Sequence, residues 1–218
     1  MGINNIALEN EIGKLAKAMT PTLGNGCIDK QDTTLAKDLA DIVKNHALGA
    51  AAAGIGIAWA PGVGSTAAVV AMTGFIWSMY FRINNRLGLK FSKVAVKSLA
   101  SAMLSNISQA AISVAGTVVL SSVLSLTGVG GVASSAIMAA MDYSIVMVGG
   151  IIYLKLLNKL MKAGASPDDM SATEMEIELD QVMRGENIAS LLKEQKQNYK
   201  KGKKEGTITG KEFVDIVE

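Results

Sequence analysis

Residues 47–81 read ALGAAAAGIGIAWAPGVGSTAAVVAMTGFIWSMYF and contain no charged side chain. A second uncharged run covers residues 98–141 and, after Asp142, continues to Leu154. About 20 apolar residues are enough for a helix to cross a bilayer, so each run is long enough for two such helices. Proline and glycine, which are typical of turns, interrupt each run near its middle. The runs therefore predict two helical hairpins, whose tips contain Pro61, Gly62, Gly64, Gly128, Gly130 and Gly131.

The composition of the chain also indicates a membrane protein. Half of the residues are hydrophobic and 18% are charged, against about 25% charged in ordinary soluble proteins, and the mean hydropathy is +0.32. The central part of the chain has no long basic face, so we expect no nucleic-acid partner. The single cysteine, Cys27, excludes an internal disulfide and a metal site built from several cysteines. Residues 1–20 lack the apolar stretch of a secretory signal peptide.

The charge pattern predicts an all-α membrane protein in three parts. These are a cytosolic amphipathic N-terminal segment (1–46), a membrane domain of two hairpins (47–162) and a cytosolic helical tail (163–218). The four membrane helices are expected at residues 33–60, 65–86, 92–126 and 132–161, and Gly88 is expected to end the second of them. The connector 82–97 carries five basic residues and no acidic one, which places it in the cytoplasm by the positive-inside rule. Both termini are then cytoplasmic, and both tips lie outside.

Two stretches read like ligand-binding loops but lack the residues that the chemistry needs. Residues 56–70 begin like a nucleotide-binding loop, yet no lysine is present there to contact a triphosphate. Residues 201–212 have the glycine and glutamate of a calcium loop, but Lys201 and Lys203 occupy positions where oxygen ligands belong. His46 is the only histidine and has no second ligand. We therefore expect no enzymatic activity, no cofactor and no metal site.

Asp142 is the candidate functional residue, because it lies near the middle of the fourth predicted helix. An ionisable side chain inside a membrane is costly to bury and is a functional candidate by default. The third predicted helix carries uncharged polar residues, among them Ser105, Asn106 and Gln109. These side chains either hydrogen-bond to their neighbours and hold the helices together, or line a water-filled path with Asp142.

Residues 60–104 carry a proline-glycine tip and a serine-capped third helix, in the sequence APGVGSTAAVVAMTGFIWSMYFRINNRLGLKFSKVAVKSLASAML. Together with the second G-V-G tip, they resemble the YcjF-type bacterial inner-membrane domain of unknown function over about residues 50–155. That family usually has an acidic residue after the proline-glycine pair, where this chain has Val63 and Gly64. The resemblance implies a helical module of the bacterial cytoplasmic membrane.

The C-terminal tail carries a second resemblance. Its residues follow the pattern G-x-I-T-x-x-E-F, with Gly206, Ile208, Thr209, Glu212 and Phe213 at the defined positions. Over about residues 188–218 the tail resembles a SHOCT-like short C-terminal oligomerisation domain. The resemblance implies a homo-oligomer.

Two functions fit these observations. The first is an integral membrane protein that acts as an oligomeric scaffold or adaptor and recruits a cytosolic protein partner through its tails. The alternative is a pore-forming or channel-like membrane protein, in which Asp142 and the Ser-rich third helix line a water-filled path. The lipid bilayer is the partner in both. A third arrangement, an apolar hairpin inside a soluble helical bundle, needs other helices to cover the uncharged run on every side.

Overall fold

The structure, a computed structural model, describes residues 14–15, 33–53, 66–123 and 131–208. All regular elements in these ranges are helical, which confirms the all-α class. The six α-helices of the described residues are α1 (Thr33–Ala52), α2 (Thr66–Leu87), α3 (Lys93–Val123), α4 (Gly131–Lys162), α5 (Ala172–Arg184) and α6 (Ile188–Lys204). A short 3₁₀ helix, Pro167–Asp169, precedes α5.

Helix α4 lies at the centre of the bundle and contacts each of the other five helices. Every residue from Ala140 to Leu154 is buried. This stretch is apolar on nearly all sides of the helix, and such a helix is stable only when protein or lipid covers every face. In this structure α1, α2, α3, α5 and α6 cover it, so α4 forms the core of the fold.

The helices around α4 are amphipathic. Helix α1 turns Leu35, Leu39 and Val43 towards the core and keeps its charged side chains on the other faces. Helix α6 has Leu192 and Tyr199 inside and most of its lysines outside. Each large apolar side chain that becomes fully buried contributes roughly 1.5–3 kcal/mol. The buried apolar faces of these helices therefore hold them against α4.

Local signals end α2 and begin α5. Gly88 follows the last residue of α2 with a φ of +72°, a conformation that glycine adopts without strain, so the predicted helix end is confirmed. Helix α5 begins with a capping box: the Ser171 side chain accepts from the Glu174 backbone N–H, and the Glu174 side chain accepts from the Ser171 backbone N–H. Two N–H groups that lack partners within the helix are satisfied in this way.

Within the described residues, one helix is long and apolar enough to cross a membrane. It is the segment Ala136–Lys162 of α4, whose most apolar 18-residue stretch has a mean hydropathy of 1.8. Its most apolar part is 83% buried inside the bundle, so its length and composition also suit the core helix of a folded domain. The prediction of four membrane helices is therefore not confirmed.

The predicted boundaries agree with α2, α3 and α4 to within three residues, whereas α1 ends at Ala52 instead of residue 60. Residues 54–60 lie outside the described part of the chain, as do the predicted tip residues Pro61, Gly62, Gly64, Gly128 and Gly130. Gly131, also predicted in a tip, is the first residue of α4. Helices α5 and α6 pack against α3 and α4, and the division into membrane and cytosolic parts stays a prediction.

Candidate functional site

Asp142 is fully buried in α4, next to α6. Its side chain has no exposure to solvent, although carboxylates are almost never fully buried unless they are paired. From α6, the ring of Tyr199 contacts the ring of Tyr143, with 5.1 Å between the centroids. Burial, and to a smaller extent the nearby charge of Asp142, raises the pKa of the Tyr199 hydroxyl. Helix α6 therefore covers the part of α4 that carries the candidate carboxyl group.

The other candidate residues lie on the opposite side of α3 from its core contacts. Ser105, Asn106 and Gln109 are all exposed, whereas Met103 and Ile107 of the same helix are buried. The structure therefore does not bring these three side chains to the buried carboxyl group of α4. They form an outer face of α3 that is polar but uncharged.

Two ion pairs and a hydrogen bond attach the C-terminal helices to the central ones. Lys155 of α4 lies 2.9 Å from Glu186 (Nζ to Oε1), at the turn between α5 and α6. Lys159 of α4 lies 2.6 Å from Glu178 of α5 (Nζ to Oε2). In addition, the Ser98 hydroxyl of α3 donates to the carboxylate of Glu176 in α5. Because the ion pairs are partly exposed, each contributes at most about 1 kcal/mol. The apolar contacts of α6 contribute more to its attachment.

Two residues of the predicted oligomerisation pattern have a role within one chain. Gly206 follows α6 with a φ of +71°, and the Thr207 N–H donates to the Gly202 carbonyl oxygen at 2.9 Å. Together with the bond from the Gly206 N–H to the Lys203 carbonyl, this is a Schellman helix end. Ile208 is buried and packs so closely on Gly202 that a Cβ there would lie 2.7 Å from its Cδ1.

The remaining residues of that pattern, Thr209, Glu212 and Phe213, lie outside the described residues. A role of the whole pattern in assembly is therefore still a prediction.

A second buried polar group joins α2 to α4, and the sequence analysis missed it. The rings of Tyr80 and Tyr153 stack with their centroids 3.8 Å apart. The Tyr80 hydroxyl donates to the Gly149 carbonyl oxygen at 3.1 Å, and the Tyr153 hydroxyl donates to Oδ1 of Asn84 at 2.7 Å. Tyr80 and Asn84 are four residues apart, and residues with that spacing share a helix face. The four-residue spacing of Tyr80 and Asn84 was the sequence signal that could have revealed this polar cluster.

His46 is buried between α1 and α2. Its Nδ1 lies 2.7 Å from the Ile42 carbonyl oxygen, and its Nε2 lies 3.3 Å from Oγ of Ser78. Burial, with the positive charge of Arg82 as a smaller cause, lowers the pKa of His46 below its ordinary value of 6.5. Across the ranges that the structure describes, no group of three or more His, Cys, Asp or Glu side chains is arranged to hold a metal ion.

Comparisons of the chain with protein-family models, with curated proteins and with solved structures found no match. The resemblances to the YcjF-type domain and to a SHOCT-like domain therefore stay predictions, and the function has to be inferred from the geometry of the bundle.

Proposed function

We propose that the protein binds lipid bilayers by inserting the α3–α4 hairpin, and that the bundle stores this hairpin with α4 at its centre. The observation that carries the proposal is the position of α6. A segment long and apolar enough to cross a bilayer lies beneath an amphipathic helix whose outer face is rich in lysine. Inserted hairpins from several copies then form a pore, and the protein belongs to the pore-forming class.

Helix α6 and a lipid bilayer cannot cover the same face of α4. Lysines along the outer face of α6 would lie in the hydrocarbon region, where each costs about 2.5–3.5 kcal/mol by insertion scales. Insertion of α4 therefore requires α6 to leave it. The buried Asp142 becomes accessible in the same step, because Tyr199 leaves with α6.

The outer face of α3 supports the same proposal. Exposed helix faces in soluble proteins are usually rich in charged residues, but the exposed residues Ser101, Ser105, Asn106 and Gln109 are uncharged. From residue 98 to residue 154, Asp142 is the only charged residue of the sequence. A helix with one apolar face and one uncharged polar face can contact lipid or other helices on one side and water on the other. In an oligomer, the polar face of α3 lines the pore.

A covalent tether between α4 and α6 tests the proposal. The variant Cys27→Ser, Tyr143→Cys, Tyr199→Cys carries two cysteines at the observed contact of the two tyrosine rings. A short bis-maleimide then joins α4 to α6, and the same variant without the reagent is the matched control. Both samples are mixed with liposomes, floated, washed with carbonate and treated with proteinase K.

We expect the untethered sample to resist the carbonate wash, to protect a fragment that contains α4, and to raise the conductance of a planar bilayer. The tethered sample should be removed by the wash and should not conduct. Equal insertion of the two samples would show that α6 does not have to leave, and the proposal would be wrong. It would also be wrong if the untethered protein did not associate with liposomes.

An oligomeric scaffold is the second candidate, and the outer face of α2 favours it. Val69 and Val70 are 44% and 65% exposed, and a Cβ added at Gly74 would meet nothing within 4 Å. Further along α2, Trp77 lies about one turn and Phe81 about two turns beyond Gly74. Their side chains are partly exposed, and their rings stack on each other. Exposed apolar surfaces of this kind often mark contacts with other chains or with lipid.

The scaffold is tested by oligomeric state. Val70→Lys should dissociate an oligomer built on α2 in analytical ultracentrifugation, whereas Ile177→Lys, at an exposed apolar residue of α5, should leave it assembled. A protein that never conducts, and whose assembly depends on Val70, would favour the scaffold over the pore.

A further inference from the structure

The two C-terminal helices carry opposite charges. Helix α5 contains Glu174, Glu176, Glu178 and Asp180 against one basic residue, Arg184. Helix α6 contains Lys193, Lys196, Lys200, Lys201, Lys203 and Lys204 against one acidic residue, Glu194. The polar surface that covers the hairpin is therefore acidic over α5 and strongly basic over α6.

Three of the lysines of α6 form a row. Lys193, Lys200 and Lys204 are separated by seven and four residues, or about two turns and one turn, so they lie along one line of the helix over roughly 16 Å. All three are exposed. Leu192 and Tyr199, which face α4, lie well away from this line around the helix. We call these three residues the lysine row.

Among the residues that the structure describes, none neutralises the lysine row. The basic residues Lys155 and Lys159 of α4 are each paired with a carboxylate. In contrast, no residue of the lysine row forms an ion pair with any other described residue, and Glu205 pairs only with Lys201, at 3.9 Å. Partial burial, and then the charge of Lys200, lowers the pKa of Lys196 on the flank of the row. A surface with these properties attracts anions.

The lysine row lies over the stored hairpin. Near the start of α6, Glu186 contacts Lys155, and further along α6, Tyr199 contacts Tyr143. Helix α6 therefore runs antiparallel to α4. Its basic C-terminal end lies towards the start of α4.

We propose that the lysine row is a docking surface for anionic lipid headgroups, through which the bundle lies on a bilayer with α4 directly behind α6. This inference rests on the proposed insertion of the α3–α4 hairpin and names the lipid that receives it. Docking engages the helix that has to move before α4 can insert. Long flexible ammonium side chains in a row suit a flat anionic surface, which they contact as point charges.

A nucleic acid fits the same row less well. The only aromatic residue of α6, Tyr199, is 7% exposed and faces α4, so no ring is presented for stacking on a base. The helix contains no arginine, the residue most often used to read guanine. Three lysines also form few phosphate contacts compared with ordinary nucleic-acid-binding proteins.

Two triple variants with the same net charge test the docking surface. Lys193→Gln, Lys200→Gln, Lys204→Gln removes the row. Lys90→Gln, Lys93→Gln, Lys97→Gln is the matched control, since these three lysines are also exposed and form no ion pair with a described residue. They lie at the other end of the bundle, between α2 and the first turns of α3. Far-UV circular dichroism checks that both variants remain helical.

Partition is measured by flotation on phosphatidylcholine vesicles with and without phosphatidylserine. Each lysine at an anionic surface contributes roughly a five-fold gain in binding, so loss of the row should weaken partition to anionic vesicles by about 100-fold. The control variant should lose less than about five-fold. Binding of the unmodified protein should weaken as salt rises, and binding of either variant to neutral vesicles should stay unchanged.

Three outcomes would overturn the docking surface: equal losses in the two variants, no loss when the row is removed, or tighter binding of the unmodified protein to duplex DNA or RNA than to anionic vesicles. If the row variant still inserts α4 as the unmodified protein does, only the docking surface is refuted, and the proposed function stands. If the unmodified protein inserts into neither kind of vesicle, the proposed function fails first.

Discussion

Substitution of Gly150 by alanine should destabilise the bundle, whereas the same substitution at the adjacent Gly149 should not. A Cβ added at Gly150 would lie 2.6 and 2.8 Å from the two γ-methyl groups of Val43, and 3.1 Å from Sδ of Met79. A Cβ added at Gly149 would meet its nearest atom, the hydroxyl oxygen of Tyr80, at 3.7 Å. Gly150 is therefore a point of close approach between α1 and α4, and Gly149 is not.

The magnitude follows from two opposing effects. Both substitutions replace a glycine inside a helix, which favours the helix by about 1 kcal/mol. Only Gly150→Ala also overpacks the core, at a cost of typically 1–3 kcal/mol, because the β-branched Val43 has little rotamer freedom to move both methyl groups. Gly149→Ala should therefore be neutral or stabilising, and Gly150→Ala should be destabilising by up to about 2 kcal/mol. The difference between the two variants measures the packing cost alone.

Urea unfolding of the purified protein, followed by far-UV circular dichroism and linear extrapolation, gives both free energies of unfolding. Val43→Ala in the Gly150→Ala background should recover part of the loss, since it removes the methyl groups that clash. Equal unfolding midpoints for Gly149→Ala and Gly150→Ala would refute the close approach of the two helices. Failure of Val43→Ala to couple with Gly150→Ala would refute the role of that side chain.

Three further predictions concern the cap of α5, the buried tyrosines and the histidine. Ser171→Ala removes the capping box and should lower the free energy of unfolding by about 1 kcal/mol, whereas Ser101→Ala on the exposed face of α3 should change it by less than about 0.5 kcal/mol. Tyr153→Phe removes the donor to Asn84 and should lower the free energy of unfolding in urea by about 1–3 kcal/mol. The additional substitution Asn84→Leu should recover part of this loss. An unchanged free energy of unfolding for Tyr153→Phe would contradict the hydrogen bond. Because burial lowers the pKa of His46 below 6.5, stability should be level above that pH and fall as the pH drops below it. His46→Gln should lose this dependence in urea titrations across the same range, and an unchanged pH profile would show that another group causes it.

The sequence predicted most of the helices correctly. The charge-free runs and their proline and glycine interruptions placed α2, α3 and α4 to within three residues, because length, charge and helix-breaking residues are local properties of the chain. The start of α5 was harder to predict. Ser166 and Pro167 have the residue types of a strong helix start, but they begin only a 3₁₀ turn, in which the Ser166 side chain makes no cap hydrogen bond. The helix starts at Ala172, after the serine that completes a capping box.

The candidate site was predicted in part. Asp142 was found from its position in an apolar helix, and the structure places it in the buried core. The expected grouping with Ser105, Asn106 and Gln109 is not observed, since these side chains lie on the outer face of α3. The polar residues of α3 show that the helix has a polar face, but they do not show whether that face meets another helix or solvent.

By itself, the sequence determined that the chain is helical, that α1 is amphipathic, and that α4 can be covered by protein or by lipid. These properties depend on residue type and on the 3.6-residue period. Only the tertiary structure decided that α6 folds back along α4, that Tyr199 covers the segment around Asp142, and that α1 crosses α4 at Gly150. The physical reason is that a helix apolar on nearly every side has no period that selects a neighbour. Its partners are chosen by the shape of the packed side chains and by a few close contacts between residues far apart in the chain.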